Sequence, residues 1–213
     1  QDQFSCKDGG CIEMANRCEA KSDCRDKSDE MNCATLSINK ENFGTYDKTL
    51  TPVSEFSSFV ELTFFVDVKE IVQIVDEQMF MELKFNLKFI WFDHQVRWMN
   101  LKENENLNVL SKEEIGHLWM PKIVFSNADT ISPIIIDESA IISVQRKING
   151  EVLLYPEEIS EEMYFNSSKN PLEYRRDYKQ KFYCDFNFLW YPFDSQECGM
   201  KLKIFDSMSD SVV

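Results

Sequence analysis

Apolar and polar positions begin to alternate with strand period at Val60, Leu62, Phe64 and Val66. The alternation is stronger over Phe80-Met-Glu-Leu-Lys-Phe-Asn-Leu-Lys-Phe-Ile-Trp91, where one face is continuously apolar and the other carries Glu82, Lys84, Asn86 and Lys88. Successive side chains of a strand point to opposite faces, so this pattern predicts half-buried strands rather than helix. Further strand-like runs lie at Ile123–Phe125, Ala140–Val144, Glu151–Tyr155, Tyr178–Tyr183 and Gly199–Phe205, punctuated by turn formers such as Asn149-Gly150. A mainly β fold follows, an antiparallel β-sandwich of the immunoglobulin-like kind. Residues 34–45 are polar and read as a linker. Pro156–Glu173, with its Glu-rich half, reads as an exposed insertion.

Residues 1–33 lack that pattern. Their large apolar residues are few, notably Phe4 and Ile12, and cannot stabilise a module by burial alone. Cysteines take over. Of seven in the chain, Cys6, Cys11, Cys18, Cys24 and Cys33 crowd this segment, while Cys184 and Cys198 stand far downstream. Such clustering reads as a disulfide scaffold from an oxidising compartment. Zinc is disfavoured, because there is no Cys-x2-Cys pair and the two histidines, His94 and His117, are remote. The stretch from Cys18 to Cys33 concentrates carboxylates in a short loop, and like charges held together need a cation. Oxygen ligands of this kind suit calcium.

Composition narrows the function. Hydrophobic residues make up 43% of the 213, with 17 Phe, 4 Trp and 7 Tyr, ample for a core. Against 37 acidic side chains stand 23 basic ones, and a net charge of −14 repels nucleic-acid phosphates. Nucleic acid is excluded as a partner. No apolar run reaches the roughly 18 residues that span a bilayer, and no signal peptide begins at Gln1, so a soluble protein or an ectodomain is expected. Asn166-Ser167-Ser168 is a glycosylation sequon suited to an extracellular loop. Neither Gly-x-Ser-x-Gly nor His-Glu-x-x-His occurs, and an enzyme is not expected.

The loop Cys184-Asp-Phe-Asn-Phe-Leu-Trp-Tyr-Pro-Phe-Asp-Ser-Gln-Glu-Cys198 is the most distinctive element. Closing so short a ring is worth roughly 3 kcal/mol in the chain-entropy account. Its aromatic side chains have no place to bury within the loop, so it calls for a neighbour.

Two families are resembled. Phe4-x-Cys6, Gly9-x-Cys11-Ile12, Arg17-Cys18 and Asp23-Cys24-x-Asp26-x-Ser28-Asp29-Glu30-x-x-Cys33 are similar to the LDL-receptor class A repeat. That resemblance implies disulfides Cys6–Cys24 and Cys18–Cys33, with the partner of Cys11 expected upstream of Gln1. It also implies calcium held by the side chains of Glu19, Asp23, Asp29 and Glu30 and the carbonyls of Asn16 and Lys21, with Asp26 and Ser28 as supports. Glu19 departs from the usual Asp.

From Tyr46 to Val213 the chain resembles the extracellular ligand-binding domain of Cys-loop, or pentameric ligand-gated, ion channels. The two cysteines with thirteen residues between them, around aromatic-Pro-Phe-Asp, carry the likeness. Tyr46-Asp47-Lys48 before Pro52, Val75-Asp76-Glu77, Trp91-x-Asp93, Trp119-x-Pro121 and Asn127-Ala128-Asp129 follow in order, with Lys122 departing from the usual Asp. The resemblance implies homologous subunits in a pentamer at the plasma membrane and a small-molecule agonist bound between neighbours.

By position, that agonist site comprises Phe205 and Ser126, beside Phe125, on one face, and Asn86 with Glu173 and Arg175 on the other. It further implies that Asp76, Glu77 and the turn Tyr191-Pro192-Phe193-Asp194 couple binding to a pore. The domain order expected is a class A module at 1–33, a linker at 34–45 and the ligand-binding domain at 46–213, stopping short of its last strands. The class A module is expected to engage an extracellular protein partner. A secreted binder of the same fold is the alternative function.

Overall fold

The computed structural model describes residues 3–37, 46–53, 59–129, 139–149, 151–154 and 161–205, with the backbone alone at 151–154, Glu161 and Phe205. Its strands are β1 (Gln3–Ser5), β2 (Cys11–Glu13), β3 (Thr63–Val75), β4 (Phe80–Trp91), β5 (Arg97–Met99), β6 (Lys122–Phe125), β7 (Ile141–Val144), β8 (Glu151–Leu154), β9 (Glu161–Asn166), β10 (Leu172–Tyr183) and β11 (Leu202–Phe205). One short helix, α1 (Lys112–His117), precedes β6. Of the turn expected at Asn149-Gly150, Gly150 lies outside the described residues.

A four-stranded sheet of order β3-β4-β10-β7 forms one wall, and β6 pairs with β11 across the core from it. A third sheet, β5-β9-β8, and the small hairpin β1-β2 complete the set, and every pairing is antiparallel. The period-2 pattern of β4 explains its central place. Leu83, Phe85, Leu87, Phe89 and Trp91 are all at most 3% exposed, whereas Lys84 faces outward. The ring of Phe85 stacks on Tyr178 at 5.3 Å and meets Phe125 edge-on at 5.7 Å, and Phe89 stacks on Tyr174 at 4.4 Å. Such offset and edge-on pairs add to what area burial alone supplies.

Two expectations need correction. Pro156–Glu173 is not simply an exposed insertion. Outside 156–160, which is not described, it supplies β9, the buried ring of Phe165 and the buried residues Asn170 and Leu172. Buried polar groups need partners. Asn170 finds them all: its side chain accepts from the amides of Lys147 and Ile148 and donates to the Asn166 carbonyl, while its own carbonyl accepts from Trp98 Nε1.

The linker expected at 34–45 belongs to the sandwich where it is described. Thr35, Leu36 and Ser37 are buried, and the amides of Thr35 and Leu36 donate to Glu114 Oε1 at 2.7 and 2.9 Å. Glu114 is available there because Ser111 and Glu114 close a capping box at the start of α1.

A second buried carboxyl ties the entry segment to the core. Tyr46 Oη donates to Asp93 Oδ2 at 2.6 Å and accepts from the Trp119 amide at 2.8 Å. Burial pushes the Asp93 carboxyl up to about 6, partly offset by the bonds from Tyr46 and the Gln95 amide. Because the folded value lies above the ordinary 3.8, the native state holds the proton more tightly. The contribution of Asp93 to stability is therefore fully present below about pH 4 and is lost as pH rises to about 6, by roughly 2–3 kcal/mol. Tyr46→Phe removes one donor from an ionised acceptor and one acceptor from Trp119. It is expected to cost about 1–3 kcal/mol at pH 7.5, and less at pH 5, where Asp93 is largely protonated. Urea denaturation of both proteins at the two pH values measures the difference, and an equal cost at both would refute the role of Asp93.

Candidate functional site

The class A segment is small, and its disulfides Cys6–Cys24 and Cys18–Cys33 are formed as expected. Cys11 on β2 is exposed and forms no disulfide among the described residues. Phe4, Cys6, Met14 and Cys24 make the module's core. Its acidic half is organised by Asp29, which is fully buried: Oδ2 accepts from the amides of Asp23 and Cys24 at 2.6 and 3.2 Å. Asp29 Oδ1 and Asp23 Oδ2 are buried without a hydrogen-bond partner among the described residues.

Buried carboxylate oxygens left in this state are costly, and a hard divalent cation satisfies them. The donor set therefore fits calcium in kind. The residues are not gathered into one shell, however, and no group of three or more metal-binding side chains converges among the described residues. Glu30 turns both oxygens to the amides of Glu19, Ala20 and Lys21, and the Lys21 ammonium lies 2.6 Å from Asp23 and 3.8 Å from Glu19. That hydrogen bond and charge hold the Asp23 carboxyl below the usual range. Asp26 accepts from the Ser28 amide and hydroxyl, which shapes the same loop.

At the other end of the chain Cys184 and Cys198 are joined. The loop between them is braced at its base by Gln196, whose side chain accepts from the Asn187 amide and donates to the Asn187 carbonyl. Its tip is apolar and uncovered. Leu189, Trp190 and Tyr191 are 73–77% exposed and Phe193 is 93% exposed. The Tyr191–Pro192 peptide is cis, and Asp194 accepts from Gln196. Asp76 and Glu77 lie exposed in the β3–β4 turn. That turn abuts the loop, because the Cys184 amide donates to the Met79 carbonyl at 2.8 Å.

Sequence reasoning marked Asn127 as a landmark but missed that it clamps both stems of the loop. Asn127 Nδ2 donates to the carbonyls of Tyr183 and Gly199 at 3.0 and 2.9 Å, and its Oδ1 accepts from the Lys201 amide at 2.9 Å. One side chain thus fixes the chain before Cys184 to the chain after Cys198. Its place in the Asn127-Ala128-Asp129 landmark marked the position but not this role.

The residues expected around an agonist fall into separate groups. Asn86 and Arg175 share the outward face of β4 and β10, where Asn86 donates to Asp177 at 2.9 Å and Arg175 pairs in register with Lys88. Ser126 and Phe205 sit at opposite ends of the β6–β11 ladder. The backbone of Phe205 pairs with Lys122, while Ser126 donates from its amide and hydroxyl to the Lys201 carbonyl. Two of the expected residues are internal. Phe125 is 5% exposed and packs on Phe85, Tyr178 and Phe182, so its ring forms core and not a pocket wall. Glu173 is 8% exposed, accepts from Gln145 of the loop after β7 and lies 3.6 Å from Lys88. Its charge is used up inside the protein. Asn166 is exposed at the end of β9, where its Oδ1 accepts from the Ser168 amide and hydroxyl of the following turn.

No helix among the described residues is long and apolar enough to cross a membrane. Comparison with known proteins accounts for both parts of the chain. The model of the neurotransmitter-gated ion-channel ligand binding domain matches residues 36–163, and that of the low-density lipoprotein receptor domain class A matches residues 1–33. Among similar proteins is neuronal acetylcholine receptor subunit beta-3 of Homo sapiens, 27% identical over 160 residues that make up 75% of this chain and 29% of that protein. The Rattus norvegicus beta-3 subunit is 28% identical with the same coverage. Neuronal acetylcholine receptor subunit alpha-3 of Carassius auratus is 24% identical over 161 residues, 75% of this chain and 26% of that protein. The chain spans less than a third of the length of these relatives.

Proposed function

The chain belongs to the neurotransmitter-gated ion-channel ligand binding domain family, and from that premise we propose that it is the extracellular, agonist-binding part of a pentameric channel subunit at the plasma membrane. The observation that carries this reading is the junction at one end of the sandwich. There the Cys184–Cys198 loop meets the Asp76-Glu77 turn and exposes an apolar tip that no other part of the described residues covers. An exposed cluster of that kind calls for a partner surface, and the pore-forming part of the same protein is the partner proposed.

Agonist binds between neighbouring subunits, with Ser126 and Phe205 contributed by one and Asn86 and Arg175 by the next. Their separation within a single chain supports a site completed by a neighbour. A ligand that prefers one of two subunit arrangements shifts the equilibrium between them, and the loop and turn transmit the change. This domain takes in Thr35–Ser37 together with the residues from Tyr46 onward, and the residues up to Cys33 form the class A module.

In that module calcium is proposed to satisfy Asp23 and Asp29 and to draw in Glu19, Glu30 and the carbonyls of Asn16 and Lys21, which requires the Lys21 ammonium to leave Asp23. Calcium here would hold shape and supply no chemistry. The module is proposed to engage an extracellular protein partner, and Asn166 is proposed as a glycosylation site.

Full-length protein expressed in oocytes and challenged with small amines and amino acids, acetylcholine among them because the relatives are named for it, tests the reading. A ligand-evoked current is expected, with Phe205→Ala raising the half-maximal concentration by about tenfold or more, in keeping with loss of an aromatic contact to a cation. Saturable binding without current would favour the secreted binder.

A further inference from the structure

The class A module does not hang free of the sandwich. Arg17, 2% exposed, reaches out of the module and binds Glu162 of β9 with both ends of its guanidinium, the NH2 bond to Oε1 measuring 2.6 Å. Asn100, in the chain after β5, accepts from the same guanidinium at 3.3 Å and donates to Glu162 Oε2 at 2.8 Å. The Arg17 guanidinium also lies over the Phe4 ring, 4.7 Å from its centroid. Met163 packs against the cores of both parts, and Lys102 Nζ donates to the Ala15 carbonyl at 3.1 Å. A bidentate, nearly dry Arg–carboxylate pair is among the more specific polar contacts a protein makes.

The position of this contact in the sequence matters. Ala15 and Arg17 lie in the turn that leads directly into the acidic loop beginning at Cys18. Asn16 precedes Arg17, Glu19 lies two positions after it, and the Cys18 amide between them donates to the Asp29 carbonyl at 3.0 Å. Glu19 lines a cleft of about 690 Å³ that Lys102 and Arg146 of the sandwich also line. Anchoring Arg17 therefore orders the segment that has to be ordered for a cation to bind beside it.

We propose that calcium binding by the module and docking of the module on the sandwich are coupled through Arg17, Asn100 and Glu162, so that each strengthens the other. This inference rests on the calcium reading given above. Docking fixes residues 15–19 in advance and lessens the ordering that calcium must impose, and Glu162 keeps the Arg17 cation neutralised beside an incoming divalent ion. Coupling of this kind is reciprocal: whatever factor docking adds to calcium affinity, calcium adds to docking.

Calorimetric titration of the whole chain with calcium tests the proposal, with hydrogen exchange read in parallel. Glu162→Gln is expected to weaken calcium binding about tenfold, within the usual range of allosteric coupling. Asn100→Gly, which removes the two hydrogen bonds to Arg17 and Glu162, leaves the ion pair in place and suits the positive φ of 55° at that position, serves where the first variant disrupts the fold, and is expected to weaken binding about threefold. In the unmodified chain calcium is expected to slow exchange of the Asn100 amide and of β9, which lie in the sandwich. Equal calcium affinity in all three proteins, or slowing confined to residues 3–33, would overturn the coupling and leave the calcium reading standing. No heat of binding in the unmodified chain would overturn both.

Discussion

Phe85→Ala is expected to lower the stability of the sandwich by about 3–5 kcal/mol, the usual cost of truncating a buried aromatic. Phe85 is 1% exposed at the middle of β4, and its ring touches Tyr178, Phe125 and Phe182 from three sides. These neighbours come from β10 and β6, on the two walls of the core, so the cavity cannot be closed by the shift of one side chain. The loss includes the transfer of the ring, the cavity left behind and three aromatic contacts. A domain stable by only about 5–15 kcal/mol would then be near the edge of folding. Val68 lies beside Phe85 in the β3–β4 register but on the sheet's edge strand and is 47% exposed. Val68→Ala is the control, expected to cost under about 1 kcal/mol. Urea denaturation followed by tryptophan fluorescence compares the two, and similar losses would mean that the core is not centred on Phe85.

That core was legible because the strand period is written plainly into Phe80–Trp91. No comparable signal marks β9, where two glutamates, Glu161 and Glu162, precede Met163 and Phe165. Only the tertiary structure shows that Glu162 faces Arg17, 145 positions away in the chain. A partner at that distance leaves no local trace.

The ligand residues divide in the same way. Position relative to Trp91 and Cys198 located Asn86 and Phe205 but said nothing of burial. Phe125 belongs to β6, whose last three residues are all buried, so alternation could not separate a pocket wall from core. Glu173 points outward by parity along β10, yet Gln145 covers it from the loop after the neighbouring strand. The disulfide pairing in the module came from the resemblance to a known repeat. Spacing alone allows other pairings.

The proposed transmission of a binding event depends on a surface that contributes nothing to the chain's own stability. Phe193 is 93% exposed at the tip of the Cys184–Cys198 loop, with Trp190 and Tyr191 beside it at 75% and 73%. Phe193→Asp removes no buried contact and should alter stability by no more than about 0.5 kcal/mol. In the full-length protein the same change puts a charge on the face proposed to meet the pore domain. Burying an unpaired carboxylate there is expensive, and the arrangement that requires the contact is disfavoured.

Agonist binding should survive, because the residues proposed for it, Asn86, Arg175, Ser126 and Phe205, lie on β4, β10 and around the β6–β11 ladder, outside the Cys184–Cys198 loop. The most direct measurement is therefore a paired one on Phe193→Asp in cells: ligand binding at the surface and ligand-evoked current. The account predicts binding close to that of the unmodified receptor with current reduced at least tenfold. Current retained at full size and sensitivity would contradict it.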